Sequence, residues 1–261
     1  MLYFRTGQFG IITTYIAAGC KYPAQAASWV STVSVEANPV ECMASPQDHR
    51  APLALHEDAD VLVLYKPPGL LCVPGRGIDK QDCLSARAQS HWPGALIVHR
   101  LDQATSGLVL MARHADAQRR LSLAFEQRQI HKRYVAIVQG LVEGPAGAWA
   151  DIHLPIAADW ERRPLRVIDA AHGKPSHTRW RTLSHDLTAG TTRVELEPVT
   201  GRTHQLRVHM AAMGHPILGD ALYADAATQA QSSRLLLHAA ELALAHPATG
   251  QPMRWELVAD F

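Results

Sequence analysis

Residues 95–112 read ALIVHRLDQATSGLVLMA: two short apolar runs, 95–98 and 107–112, enclosing the polar loop HRLDQATSG. Apolar runs of this length beside a Gly-containing loop predict two short strands. The loop then holds Arg100 and Asp102 at a strand end, with Thr105, Ser106 and Gly107 supplying turn and hydrogen-bonding groups. Upstream, DVLVLYKPPGLL carries an apolar run over 61–65 that Pro67, Pro68 and Gly69 stop, which predicts a strand and a tight turn. Downstream, ADAQRRLSLAFEQRQ spaces Ala117, Leu121, Ala124, Phe125 and Arg128 by three and four residues, an amphipathic helix with a basic opposite face.

Further strands are predicted over YVAIVQG (134–140), TTRVELEPV (191–199), SRLLLHA (233–239) and ELALAHP (241–247). RTHQLRVHMAAMG (202–214) predicts a helix with Leu206, Met210 and Met213 on one side and Gly214 as its stop. Many short strands with few helices, and no steady βαβ alternation, predict an α+β fold on a mixed sheet rather than a doubly wound one. No internal repeat is visible.

The chain has 261 residues, 47% hydrophobic and 19% charged, enough to bury a sizeable core. Scattered Gly and Pro exclude collagen-like and low-complexity classes. Residues 1–50 differ from the rest: their net charge is zero and they lack a helical or strand period. They are left unassigned, as a disordered extension or the result of a start placed too far upstream, with Met43 in frame before the globular pattern. Their opening also resembles a weak secretion signal. Residues 51–261 are expected to form the folded domain. Cys20, Cys42, Cys72 and Cys83 are too few and too far apart for a disulfide scaffold, and no apolar run approaches the roughly 20 residues of a membrane span. A soluble, cytoplasmic protein is expected.

A net charge of +1 gives no global field for nucleic acid. Local clusters do better. Residues 99–134 hold seven Arg or Lys against three acids, and residues 160–181 hold six against two, interleaved with Trp160 and Trp180. Basic side chains among aromatics suit phosphate contact and base stacking, although solvated faces on a neutral protein read the same way. Arg162 and Arg163 are the phosphate-binding candidates in the second stretch. Fifteen histidines invite a metal, but HExxH is absent and His204 and His209 lie five apart, off the register that places two ligands on one helical face. No catalytic metal is expected.

HRLD with TSG after two residues, KPPG upstream, and TGRTHQLRVHM, GHPILGD and RLLLHA downstream resemble the pseudouridine synthases of the RluA family, in that family's order, over about residues 57–261. The blocks KPPGLLCVPG, DWERRP and AHPATGQPMRWELVADF resemble most the branch that acts on both rRNA and tRNA. The resemblance implies a mixed, mainly antiparallel sheet with helices and loops framing a central cleft, in a catalytic domain over residues 51–261. It also implies isomerisation of specific uridines in stem-loops of 23S rRNA and of the tRNA anticodon arm, through base flipping, by a monomer without a cofactor. Asp102 matches the catalytic aspartate, whether as nucleophile on ribose or base or as a base at the ribose carbon 2′. Tyr134 matches the tyrosine that stacks on the target base and serves in proton removal at carbon 5. Arg202 matches the arginine that pairs with the aspartate, and Arg100 the residue that enters the RNA stack vacated by the uridine. Leu206 and Leu236 match apolar positions lining the uracil pocket; Lys66 and Pro67 match a structural turn.

Two other functions fit parts of the pattern. An RNA-binding or RNA-folding protein with dispensable catalysis would keep the fold, but the intact Asp102, Tyr134 and Arg202 set argues against lost chemistry. A glycoside or nucleoside hydrolase would share a carboxylate acting at an anomeric carbon, yet hydrolases of that kind usually show two working carboxylates and only Asp102 has a motif.

Overall fold

The computed structural model describes residues 51–144 and 148–261. The readings made for residues 1–50, including Met43 and the weak signal, lie outside the described residues. Twelve strands and four helices are described: β1 (Ala54–Glu57), β2 (Val61–Lys66), α1 (Leu84–His91), β3 (Leu96–Ile97), β4 (Ser106–Ala112), α2 (Ala115–Glu126), β5 (His131–Gln139), β6 (Ala150–Ile152), β7 (Ile156–Ala158), β8 (Arg166–Ile168), β9 (Thr178–Asp186), β10 (Thr191–Pro198), α3 (Gln205–Ala212), α4 (Ala226–Ala230), β11 (Leu237–Ala245) and β12 (Pro252–Glu256).

Ten strands form one sheet in the order β1-β2-β4-β11-β5-β10-β9-β6, with β3 added to β4 and β12 to β11; β7 and β8 make a separate hairpin. Every pairing in the sheet is antiparallel except that of β4 with β11. The fold is the α+β arrangement on a mixed sheet that the strand pattern predicts, and the sheet is mainly antiparallel, as the resemblance implies.

Side-chain alternation explains which runs are continuous in sequence. In β2, Val61 and Val63 pack towards α2 while Leu62 and Leu64 pack towards α1; in β4, Leu108, Leu110 and Ala112 take the first side and Val109 and Met111 the second. Both faces of these strands are therefore covered, and burial on both faces removes any polar alternation. Strands β5, β9 and β10 bury one face only. Ala136, Val138, Trp180, Val194 and Leu196 join Leu206 and Met210 of α3 in a core, whereas Arg133, Arg181 and Glu195 occupy the opposite face in ion pairs.

Helix α2 buries Ala117 and Leu121 and packs Ala124 and Phe125 on the same core, as its spacing predicts. Arg128, read as part of that face, lies past the helix end in the left-handed region with φ 59°. The runs at 233–239 and 241–247 are not two strands: β11 is one strand spanning Leu237–Ala245, with a register shift against β5 between Ala239 and Glu241.

The parallel seam fixes the site. His238 of β11 stands opposite Ser106 of β4, and Ala239 opposite Gly107, so the segments leading into both strands emerge at the same end of the sheet. Gly107 has φ 117°, and a Cβ there would lie 2.3 Å from the Ala239 carbonyl oxygen. Only glycine permits so close an approach.

Candidate active site

Asp102 lies four residues ahead of the start of β4, in a loop held from three directions. Lys66, fully buried at the end of β2, donates from Nζ to the carbonyls of Pro67 (2.8 Å), Leu70 (2.8 Å) and Gln103 (3.0 Å). Gln103 and Gly69 exchange a further pair of bonds, with the Gly69 N–H donating to the Gln103 carbonyl and the Gln103 amide to the Gly69 carbonyl. On the other side, the Leu101 N–H donates to Cys72 Sγ at 3.2 Å, and the Thr105 N–H closes a turn onto the Asp102 carbonyl. The Lys66–Pro67 turn is thus a brace for the loop that carries the carboxylate. Burial draws the Lys66 ammonium down to about 8, with the Asp102 charge among the effects opposing the shift.

The Asp102 side chain remains 21% exposed. Its cationic neighbour is Arg207, in the first turns of α3, with Nη1 3.7 Å from Asp102 Oδ2. Arg207 is itself buried and anchored: Nε donates to Asp220 Oδ2 at 2.8 Å and Nη2 to Asp220 Oδ1 at 2.6 Å. Asp220 Oδ1 also accepts the N–H groups of Leu222 and Tyr223. A two-pronged pair of this kind fixes the guanidinium plane as well as its charge.

Arg202, expected to pair with Asp102, does not do so. Its side chain is exposed and turns to the Pro175 carbonyl, 3.4 Å from both Nε and Nη2. The cause is local. Buried Gln205, at the start of α3, accepts the Arg202 N–H and the Thr200 hydroxyl through Oε1 and donates to the His177 carbonyl and Thr178 Oγ1. This ties down the backbone at residue 202 and leaves its side chain outside, while residue 207, two positions into the helix, enters the protein.

His204 completes the rim. It occupies the left-handed region with φ 58°, a conformation that costs a non-glycine residue on the order of 1 kcal/mol. Its Nε2 is 3.9 Å from Asp102 Oδ1, and its Nδ1 is 2.7 Å from the Tyr223 hydroxyl, which accepts the Arg166 N–H. Burial lowers the His204 pKa, with Asp102 pulling the other way.

Tyr134 stands in β5 opposite Leu196 on one side and Ala239 on the other, one strand beyond Gly107. Burial, reinforced by the Asp102 charge, pushes its phenol far up, so it stays protonated at neutral pH. Tyr134, Ala104 and Leu236 are partly buried against the core cluster that contains Leu206. Aromatic ring, apolar floor and carboxylate therefore meet at the end of the β4/β11 seam.

Arg100 is exposed, two residues before Asp102, and among the described residues no carboxylate pairs with it. Arg162 and Arg163 lie in the turn between β7 and β8. Arg162 pairs with Asp159 at 2.7 Å, and the Arg163 guanidinium lies 4.0 Å from the ring centroid of Trp160, itself 72% exposed.

The sequence reading missed Arg207, Asp220, His204 and Tyr223. One signal was available: an arginine between Leu206 and Val208 in an apolar helix needs a buried acid, and GHPILGD supplies one.

The family model for RNA pseudouridylate synthase matches residues 60–212. The dual-specificity RNA pseudouridine synthase RluA of Yersinia pestis is 44% identical over 209 residues, covering 80% of this chain and 100% of the relative. RluA of Escherichia coli K12 is 44% identical over 207 residues, covering 79% and 93%. Among solved structures, human RNA pseudouridylate synthase domain containing 1 superposes with a TM-score of 0.67 at 29% identity, over 82% of this chain and 86% of that one. The human domain containing 4 protein gives 0.62 at 26%, over 79% and 88%. With the match extending from the strand before the Lys66 turn through helix α3 and its Arg207, the chain belongs to the RNA pseudouridine synthases of the RluA family.

Proposed function

We propose that this RNA pseudouridine synthase acts on uridines in stem-loops of 23S rRNA and of the tRNA anticodon arm, as a cytoplasmic monomer, with Asp102 as the group that acts on the flipped nucleotide. The observation that carries the assignment of Asp102 is its partly open carboxylate at the β4/β11 seam, beside a fixed guanidinium and an apolar floor. The choice of RNA rests on likeness to the dual-specificity relatives.

The reaction breaks the bond from ribose C1′ to N1 of uracil and makes a bond from C1′ to C5. One proton leaves C5 and one is taken up at N1, so the RNA keeps its mass. The uridine must first leave its stack, at a cost of a few kcal/mol. Arg100, exposed beside Asp102, is placed to enter the gap, and a guanidinium plane stacks well on bases. The freed uracil is held between the Tyr134 ring and the apolar surface of Leu206 and Leu236 while it turns, and exclusion of water there prevents its loss. Asp102 acts as a nucleophile or as a base at C2′, with Arg207 compensating its charge through the steps. Because Tyr134 is held as a phenol, its part is to stack and to pass a proton rather than to stand as a resident phenolate.

The test is Asp102→Asn. The amide is nearly isosteric but can be neither nucleophile nor base. Pseudouridine formation, followed by tritium release from C5, should vanish while the melting temperature and RNA affinity persist. Activity within tenfold of wild type would overturn the assignment of Asp102. Pseudouridine mapping of total RNA with and without the gene tests the rRNA and tRNA targets separately.

A further inference from the structure

At the β9/β6 end of the sheet, two imidazoles and a carboxylate come together. We propose that Asp151, His153 and His177 form a surface site for a divalent transition-metal ion of the zinc, cobalt or nickel class.

The strand geometry creates the cluster. Asp151 of β6 faces Arg179 of β9, and Ile152 faces Thr178. Ile152 and Thr178 are buried, so the alternation turns Asp151, His153 and His177 onto the outer face together. Their ligand atoms lie within 4.8 Å of one another. The two imidazoles stack at 4.1 Å between centroids with planes 23° apart, and His177 Nε2 is 2.5 Å from Asp151 Oδ1. A tetrahedral ion with bonds of about 2.0–2.1 Å asks for donors about 3.4 Å apart, which small side-chain rotations on this rigid base supply. Two nitrogens and one carboxylate oxygen suit zinc, cobalt or nickel and do not suit magnesium or calcium. Remaining positions fall to water.

Tautomers separate this cluster from a second one. Asp58, Asp60 and His246 also converge, but His246 Nδ1 accepts the N–H groups of Ala248 and Thr249. The proton of a neutral His246 is therefore on Nε2, which faces Asp58 at 3.3 Å, and no lone pair is left for a metal. His114 beside it is committed in the same way, its Nδ1 accepting the Ala117 N–H. His153, by contrast, has neither ring nitrogen in a hydrogen bond among the described residues. At His177, moving the Nε2 proton to Nδ1 frees Nε2 for the ion with no net proton change. His209 lies beneath, both nitrogens engaged by Thr178 Oγ1 and the Leu154 carbonyl, so it supports the face without being a ligand.

The test uses the full chain titrated with Zn²⁺ by calorimetry and with Co²⁺ by visible absorption, up to about 1 mM. Wild type should bind with a rise in melting temperature. His153→Ala and His177→Gln should bind at least tenfold more weakly and lose that rise, whereas His246→Gln should bind as wild type does. Far-UV circular dichroism verifies that the variants fold. Equal affinity in wild type and His153→Ala, or no saturable binding by wild type, would overturn the proposal.

Discussion

Arg207 commits two of its three guanidinium nitrogens to Asp220, at 2.8 and 2.6 Å, and thereby aims the third at Asp102, 3.7 Å away. Lysine cannot do both, since an ammonium is a point charge without the fork. Arg207→Lys should lower the single-turnover rate by about 100-fold or more, in the range seen when one preorganised electrostatic partner is removed. Arg202→Ala, which removes only an exposed contact to Pro175, should stay within about threefold of wild type by the same reasoning. Asp220→Asn should destabilise the protein by about 3–5 kcal/mol in urea unfolding, because the buried guanidinium loses its counter-charge. A dead Arg202→Ala beside an active Arg207→Lys would reverse the assignment.

Lys66 makes a second prediction about the same loop. Replacing it with Met fills similar space but leaves the carbonyls of Pro67, Leu70 and Gln103 without their donor. Buried acceptors left unpaired cost about 1–3 kcal/mol each. Lys66→Met should therefore lose about 3 kcal/mol or more of stability, and its residual activity at low temperature should fall in kcat before KM, because Gln103 adjoins Asp102. Unchanged stability would mean that water replaces the ammonium at all three carbonyls.

Acid should weaken the fold through buried neutral histidines. The Leu110 N–H donates to His99 Nε2 at 3.0 Å, and the ring packs against Phe125 at 4.7 Å. Burial holds His99 down at about 3, against an ordinary 6.5. In the window between these values the unfolded chain binds the extra proton, so stability is full above about pH 6.5 and declines as pH falls towards 3. From pH 7 to pH 5 the loss at His99 is about 2 kcal/mol. His204 and His238 shift in the same direction, chiefly through burial. Urea unfolding at both pH values should show a smaller loss for His99→Gln than for wild type; equal slopes would remove His99 from the account.

The contrast between Arg207 and His99 also shows what could be read from sequence. Strands β2 and β4 are visible as apolar runs because both their faces are buried, and α2 because only one of its faces is. Local periodicity carries that information. It does not carry the parallel pairing of β4 with β11, whose partners Ser106 and His238 lie far apart in the chain, yet that pairing brings Asp102 towards Leu236. Nor does it distinguish the two arginines of TGRTHQLR. Their fates diverge through Gln205, whose buried amide ties the backbone of residue 202 and starts the helix that carries residue 207 inward.

The remaining prediction separates two ways of holding RNA. Arg162 is already compensated by Asp159, which takes both its guanidinium and its backbone N–H. Arg163 has no such acid; it lies over the exposed ring of Trp160 and offers a charge and a flat surface together. Charge reversal at Arg163 should weaken RNA binding more than reversal at Arg162 and should flatten the dependence of affinity on salt, since lost phosphate contacts release fewer counterions. Arg100 should behave differently. Beside Asp102 its work comes after docking, when the stack must be filled, so Arg100→Ala should leave affinity within about threefold but slow the single-turnover rate at saturating RNA by about tenfold or more. Affinity measured against salt, alongside that saturated rate, distinguishes the two. If Arg100→Ala flattened the salt dependence and kept the saturated rate, Arg100 would be a phosphate contact and the stack would be filled by another residue.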